Sequence, residues 1–276
     1  MSVAAPASPP AGPPEDEAAA AALQAALEAA GHGCAVCWLP RTGSTNSDLL
    51  AEVRAGRGTV RCLVAGHQSA GRGRRSRSWR DQGPGGAESS LLCSLAWPLP
   101  RGCELTGLSL AVGVWLAQSL QTLGLREARL KWPNDLLLGA GKLAGVLVEV
   151  ADAAQARWVV IGIGLNLRLP EGLEHAASLD QAGVQAGRWQ VLRALLPRLL
   201  SGLQSFSQQG FAPWMEEWNR LHAWAGRPVQ VLEEQGSQGL RGLALGVDAQ
   251  GFLWLRTEQG RERVTGGDVS LRMRED

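Results

Sequence analysis

The chain has 276 residues, 45% hydrophobic and 19% charged, with a formal net charge of +1 at pH 7. That length can bury a full core and suits one or two domains. The near-balanced charge excludes a broadly basic nucleic-acid surface and any general attraction to a membrane. No apolar run reaches 18 residues, so no membrane-spanning helix is expected. No Lys or Arg precedes Arg41, which argues against a leader peptide and for a cytoplasmic protein. The five cysteines, at 34, 37, 62, 93 and 103, are odd in number and scattered. Cys34 and Cys37 form a CxxC inside an apolar run and read as strand thiols, not as a metal or redox pair.

Residues 1–14 are a Pro/Ala tail, expected to be disordered. Glu15 to Ala30 is Ala-rich with acidic residues at its start, a helix by propensity and dipole, closed by Gly31-His32-Gly33. It is a single helix, without the second helix and turn of a DNA-reading motif. A strand is expected over Cys34–Leu39. The N-cap candidates of Arg41–Asp48 then open a helix to about Arg54, with Ser44-Thr45-Asn46 suited to capping and to ligand contact alike.

A second strand covers Val60–Gly66, followed by a long Gly/Arg loop from His67 to about Glu88; loops of that length are usually functional. Next come a strand (Ser89–Leu99), a helix (Glu104–Leu123), and strands over Ala128–Trp132, Asp135–Leu138, Lys142–Val150 and Arg157–Leu169. Two helices are expected between Trp189 and Ala223. From Gly226 the pattern changes to short strands with Gly turns: Val229–Glu233, Leu240–Val247, Phe252–Leu255 and Arg261–Leu271. The one domain break therefore falls near 225, before a small β-barrel.

Chemistry concentrates in two stretches. Of 27 basic residues only two are lysines, Lys131 and Lys142, both inside KWPNDLLLGAGKLAGVLVEV. A compact ammonium differs from a guanidinium fork, and both lysines suit meeting a phosphate as point charges. The second stretch is Gly71-Arg-Gly-Arg-Arg-Ser-Arg-Ser-Trp79, where Arg72, Arg74, Arg75, Arg77 and Arg80 fall close together. Its glycines allow a ligand near the backbone, its forks suit carboxylate or phosphate, and Trp79 can cover a ring. An Arg/Gly nucleic-acid patch is the alternative reading of that loop. It is not a P-loop, because Arg72-Gly73 stands where Lys-Ser/Thr is required. Gly162-Ile-Gly-Leu-Asn166 lacks the third glycine of a dinucleotide fingerprint, and its glycines mark a strand on which a ligand lies flat. Asp135, close to both lysines, is a candidate for metal or ribose. No Gly-x-Ser-x-Gly elbow is present. The set suits holding two anions together while a carboxylate attacks an α-phosphate.

Four motifs in this order and spacing resemble the biotin protein ligases: GRGRRxRxW at 71–79, KWPND at 131–135, KLAG with Glu149, and GIGLN at 162–166. The closing GGDVSLR at 266–272 is similar as well. The resemblance implies a mixed α/β fold (α+β), a central sheet backed by helices as in class II synthetases, with an SH3-like barrel behind it. It implies a catalytic biotin/ATP-binding domain at 15–224 and the barrel at 225–276. The implied activity makes biotinyl-5′-AMP from biotin and ATP with Mg2+, then passes biotin to a lysine of a biotin carboxyl carrier protein or domain.

By the same resemblance, Ser44, Thr45 and Gln68 hold the ureido ring, and Gly145, Gly162 and Gly164 line the biotin pocket. Arg72 and Arg74 order the loop and bind carboxylate and phosphate oxygens, while Lys142 bridges the biotin carboxylate and the α-phosphate. Arg75, Arg77, Trp79, Lys131, Asn134 and Asn166 fall to the nucleotide, and Asp135 to magnesium. The expectation is a ligase without repressor function, binding neither nucleic acid nor membrane, as a monomer or homodimer. A lipoate or octanoate enzyme of the same fold is the nearest alternative, though the Gly71 and Lys131 motifs point away from it.

Overall fold

The structure is a computed structural model describing residues 13–74, 77–79, 89–152, 156–169, 175–232, 238–264 and 270–273. Seven strands make the main sheet: β1 (Ala35–Leu39), β2 (Arg61–Ala65), β3 (Ser90–Leu99), β4 (Arg129–Lys131), β5 (Asp135–Leu138), β6 (Gly141–Asp152) and β7 (Arg157–Asn166). Their order is β1-β2-β3-β7-β6-β5-β4. β1 and β2 are parallel, and every other neighbouring pair is antiparallel.

Alternation along β3 and β7 sorts side chains between two layers. Leu91, Cys93 and Leu95, with Ile161, Ile163 and Leu165, join the large core formed with α1 (Pro13–Ala29), α3 (Leu108–Thr122) and α4 (Arg188–Gln209). On the opposite face, Ala96 and Val160 pack under Leu49, Leu50 and Val53 of α2 (Thr45–Arg54). That single short helix covers only part of its face, and the uncovered remainder floors a cleft. Both sheet edges are tied down. Val36 N–H donates to Gln24 Oε1 of α1 at 3.0 Å, and Ala223 N–H donates to Leu130 O at 2.8 Å.

The helix expected from Glu104 begins later, at Leu108, because Gly107 turns through a left-handed φ of 83° immediately before it. After α5 (Met215–Leu221) come β8 (Pro228–Leu232), β9 (Gln238–Val247), β10 (Leu253–Thr257), β11 (Gly260–Val264) and β12 (Ser270–Met273). They form a five-stranded sheet in the order β11-β10-β9-β8-β12. The single strand expected over Arg261–Leu271 is thus two strands on opposite edges. The second sheet docks through polar clamps. Trp132 Nε1 donates to Gly251 O at 3.2 Å, and the Asn219 amide meets both the N–H and C=O of Val247 at 2.7 and 3.0 Å.

Candidate active site

The cleft encloses about 980 Å3, including its open mouth, over β3, β7, β6 and β5. Strand register places its parts in sequence. Ser94 of β3 pairs with Gly162 of β7, Gly164 pairs with Gly145 of β6, and Gly145 pairs with Asp135 of β5. The polar end at β3 and the charged end at β6 are two strand spacings apart, about 10 Å.

At the polar end, α2 begins at Ser44, an extended N-cap whose side chain makes no capping bond. The capping reading therefore fails for the Ser44 side chain, and the residue borders the cleft. Thr45 donates its backbone N–H to Gln68 Oε1 at 2.8 Å, and its hydroxyl lies 3.0 Å from the same oxygen and 2.6 Å from Ser94 Oγ. Ser94 donates to Asn46 Oδ1, and Asn46 Nδ2 donates to Glu149 Oε2 at 3.0 Å. Gly162 is glycine for a steric reason, since a Cβ there would lie 2.4 Å from Asn46 Oδ1.

At the charged end, Lys142 Nζ lies 2.6 Å from Asp135 Oδ1, and Lys131 Nζ lies 3.6 Å from Asp135 Oδ2. Lys142 is three residues from Gly145, a spacing that in a regular strand would send the two to opposite faces. A bulge corrects this. Leu136 pairs with Ala144 but Leu137 pairs with Lys142, so Leu143 is the extra residue. Leu143 and Ala144 are both fully buried, and Lys142 emerges on the cleft face beside Gly145. The backbone of Lys142 is pinned as well: its N–H donates to His175 O at 2.8 Å, and its C=O accepts from Ala177 N–H and from Asn166 Nδ2.

The loop folds back as a small hairpin, with Arg72 bridged to Ser78 and Trp79 N–H donating to Gly71 O. Arg72 donates to Glu149 Oε1 at 2.5 Å and to Ser47 Oγ at 3.1 Å. Arg74 reaches Asn134 Oδ1 at 3.5 Å, and Asn134 is itself fixed by two bonds with Val146. The Trp79 indole lies on the glycine floor; a Cβ on Gly164 would fall 2.5 Å from its ring. The Lys142 ammonium sits 5.6 Å from the ring centroid.

Two family profiles match this chain: the Biotin/lipoate A/B protein ligase family over residues 38–166, and the Biotin protein ligase C terminal domain over 225–272. The chain is also 37% identical over 253 residues to the bifunctional ligase/repressor BirA of Escherichia coli (strain K12), covering 88% of this chain and 76% of that protein. The chain belongs to the biotin protein ligases. It is 35% identical over 244 residues to the biotin–[acetyl-CoA-carboxylase] ligase of Mycobacterium tuberculosis, covering 83% of this chain and 86% of that one. Among solved structures it resembles the biotin protein ligase from Aquifex aeolicus in complex with biotin and ATP. That match has a TM-score of 0.74 and 27% identity, covering 87% of this chain and 99% of that one.

In this biotin protein ligase, Ser44, Thr45, Gln68, Arg72, Arg74, Arg77, Trp79, Lys131, Asn134, Asp135, Lys142, Gly145, Gly162 and Gly164 all border the one cleft. Asn166 does not border it; that side chain is buried and braces Lys142 O and Ala177 O at 3.2 and 3.0 Å. Arg75 lies outside the described residues. Trp79, expected on the nucleotide side, rests on Gly145 and Gly164, the glycines expected beneath biotin.

Sequence reasoning did not single out Ser94. Its one signal was a polar residue in the middle of β3, between Leu91-Leu92-Cys93 and Leu95-Ala96-Trp97. The cysteines are free. Burial pushes the Cys34 thiol up to about 12, and a hydrogen bond with Cys93, then burial, raises Cys62 well above the usual thiol range. Such thiols are poor nucleophiles and poor metal ligands. Among the described residues no group of three or more His, Cys, Asp or Glu is placed to hold a metal.

Proposed function

We infer that this chain carries out ATP-dependent ligation of biotin to protein. The observation that carries the reading is the order of groups along one sheet face: hydrogen-bonding side chains at β3, bare glycine backbone at β7 and β6, and ammonium and guanidinium groups at β6 and the loop. That order matches a ligand with a polar ureido head, an apolar body and a carboxylate tail. Apolar pockets with a few convergent polar groups are the usual shape of such sites.

In the proposed first step, a biotin carboxylate oxygen bonds to the α-phosphorus of ATP. The bond to the bridging oxygen of pyrophosphate breaks, and pyrophosphate leaves with the electron pair. Two anions must approach, and charge grows on the phosphoryl oxygens. Lys142, Arg72 and Arg74 offset both effects with fixed positive charge, in a cleft that the loop shields from water. In the second step an acceptor lysine amine attacks the acyl carbon, and AMP departs. We propose a lysine of a biotin carboxyl carrier protein or domain as acceptor. Ser44, Thr45 and Gln68 would take the ureido head, and Trp79 would wall biotin on one side and face the nucleotide on the other. Arg77, Lys131 and Asn134 would hold phosphate, with Asn166 keeping Lys142 in place.

Magnesium would enter on the nucleotide phosphates and neutralise part of their charge. Asp135 is the carboxylate at hand, and a metal shared between one carboxylate and substrate phosphates fits that donor set. We propose two functional units, a catalytic domain over 15–224 and the small sheet of 225–276, in a cytoplasmic enzyme. Among the described residues no helix is long and apolar enough to cross a membrane. A ligase without a repressor role is part of the same reading, because α1 is engaged by the sheet through Gln24 and by α4 through an Asp16–Trp189 bond. A mobility-shift assay with operator DNA tests it.

The decisive experiment is biotin-dependent pyrophosphate release by the wild type and by Lys142→Ala. The variant is expected to lose about a hundred- to a thousand-fold in kcat, the usual cost of one preorganised donor at such a centre. It should remain folded, since the lysine is 39% exposed and lies outside the apolar core. Undiminished turnover would refute the role given to Lys142.

A further inference from the structure

We propose that Glu149, Asn46 and Ser94 are positioning residues that fix the hydrogen-bond polarity of Thr45, so that this end of the cleft takes a ligand N–H and refuses a ligand lone pair. The identity of the ligand rests on the biotin reading; the polarity rests on the geometry alone.

Glu149 is paired with the Arg72 guanidinium and has only acceptor oxygens to offer Asn46. The Asn46 amide must therefore turn its nitrogen to Glu149, which leaves Oδ1 facing Ser94. An amide oxygen only accepts, so the single Ser94 proton is committed to Asn46. Ser94 Oγ is then an acceptor, 2.6 Å from the Thr45 hydroxyl. The Thr45 proton has two claimants. One is Ser94 Oγ; the other is Gln68 Oε1 at 3.0 Å, which already accepts the Thr45 backbone N–H. The shorter and less committed acceptor takes it.

What remains on the cleft wall is a pair of lone-pair oxygens, Thr45 Oγ1 and Gln68 Oε1, 3.0 Å apart. Two acceptors that close call for a donor between them. A cyclic urea supplies an N–H there. Behind Thr45, Asn46 and Ser94 are 3% and 1% exposed, so water cannot enter to reverse the chain. Gly162 protects it, because any side chain at that position would strike Asn46.

The test compares biotin with its two cyclic carbamate analogues, in which one or the other ureido N–H is replaced by a ring oxygen. Pyrophosphate release is measured for the wild type, Ser94→Ala and Glu149→Gln. The wild type is expected to prefer biotin over at least one analogue by about a hundredfold or more in kcat/KM, as sites built around a donor do. Without Ser94 the Thr45 hydroxyl is free to turn and donate. In Glu149→Gln the new amide can donate as well as accept, so the whole chain can run in reverse.

Both variants should therefore reduce the preference by about tenfold or more, and a merely structural role would lower activity on all three substrates alike. An unchanged preference in either variant, with thermal melts showing a folded protein, overturns the proposal. So does a wild type that does not discriminate. No release with biotin by the wild type would overturn the biotin reading itself.

Discussion

Replacing His222 with phenylalanine removes a group that takes no part in the chemistry, and its effect can be worked out from burial. His222 follows α5, 6% exposed, with its ring 4.8 Å from that of Trp218 and no hydrogen-bond partner at either nitrogen among the described residues. Burial pushes its pKa from 6.5 down to about 4. The folded site keeps the ring neutral, whereas the unfolded chain protonates it below pH 6.5. Between those values the unfolded state binds more protons, so the stability is fully present above pH 6.5 and drains away as pH falls towards 4. At 1.36 kcal/mol per pKa unit the complete loss is about 3 kcal/mol, of which about 2 kcal/mol has gone by pH 5. Urea unfolding at pH 7.5 and pH 5 measures this directly. The wild type should lose about 2 kcal/mol more than His222→Phe over that interval. Glu217, whose carboxyl is held below its usual range by its bond to Arg220, acts only at lower pH and does not confuse the comparison. Equal losses in the two proteins would refute the reasoning.

Gly164→Val should raise the biotin KM by about tenfold or more while leaving the melting temperature nearly unchanged, because the new side chain rises from the floor where the Trp79 ring now lies. Titration of biotin in the pyrophosphate assay checks it. Asn219→Ala should cost about 2 kcal/mol or more of stability, since both backbone groups of Val247 lose their partner at once. Chemical denaturation measures the cost, and hydrogen exchange should show it concentrated in β9 and β10.

Much of the fold was legible because its periods are clean. Strands β1 to β7 and helices α2 and α4 follow the apolar pattern closely; the Lys131 stretch announces chemistry through a residue type found nowhere else in the chain, and the Gly71 motif through the crowding of its arginines. Three features were not legible, each for a local reason. The start of α3 is decided by a left-handed glycine that periodicity does not see. The link between Asn46 and Glu149 spans 103 positions, and only strand order and the placement of α2 create it. Asn166 reads as a ligand contact in a glycine-rich motif, and nothing in that motif tells that its amide nitrogen braces two backbone carbonyls. Where residue type and local period agree, sequence suffices; where sheet neighbours choose the partner, it does not.

The extra residue in β6 has a consequence for how this site can vary. With Leu143 removed, the strand would return to a plain two-residue period, and Lys142, then two places from Gly145, would still face the cleft. A residue inserted beside Leu143 while the bulge stays would instead turn the ammonium towards the buried layer. The side on which the ammonium stands thus depends on residue count and bulge together, not on distance along the chain. Trimming Leu143 should therefore be tolerated in pyrophosphate release, whereas lengthening the strand by one residue with the bulge retained should silence it.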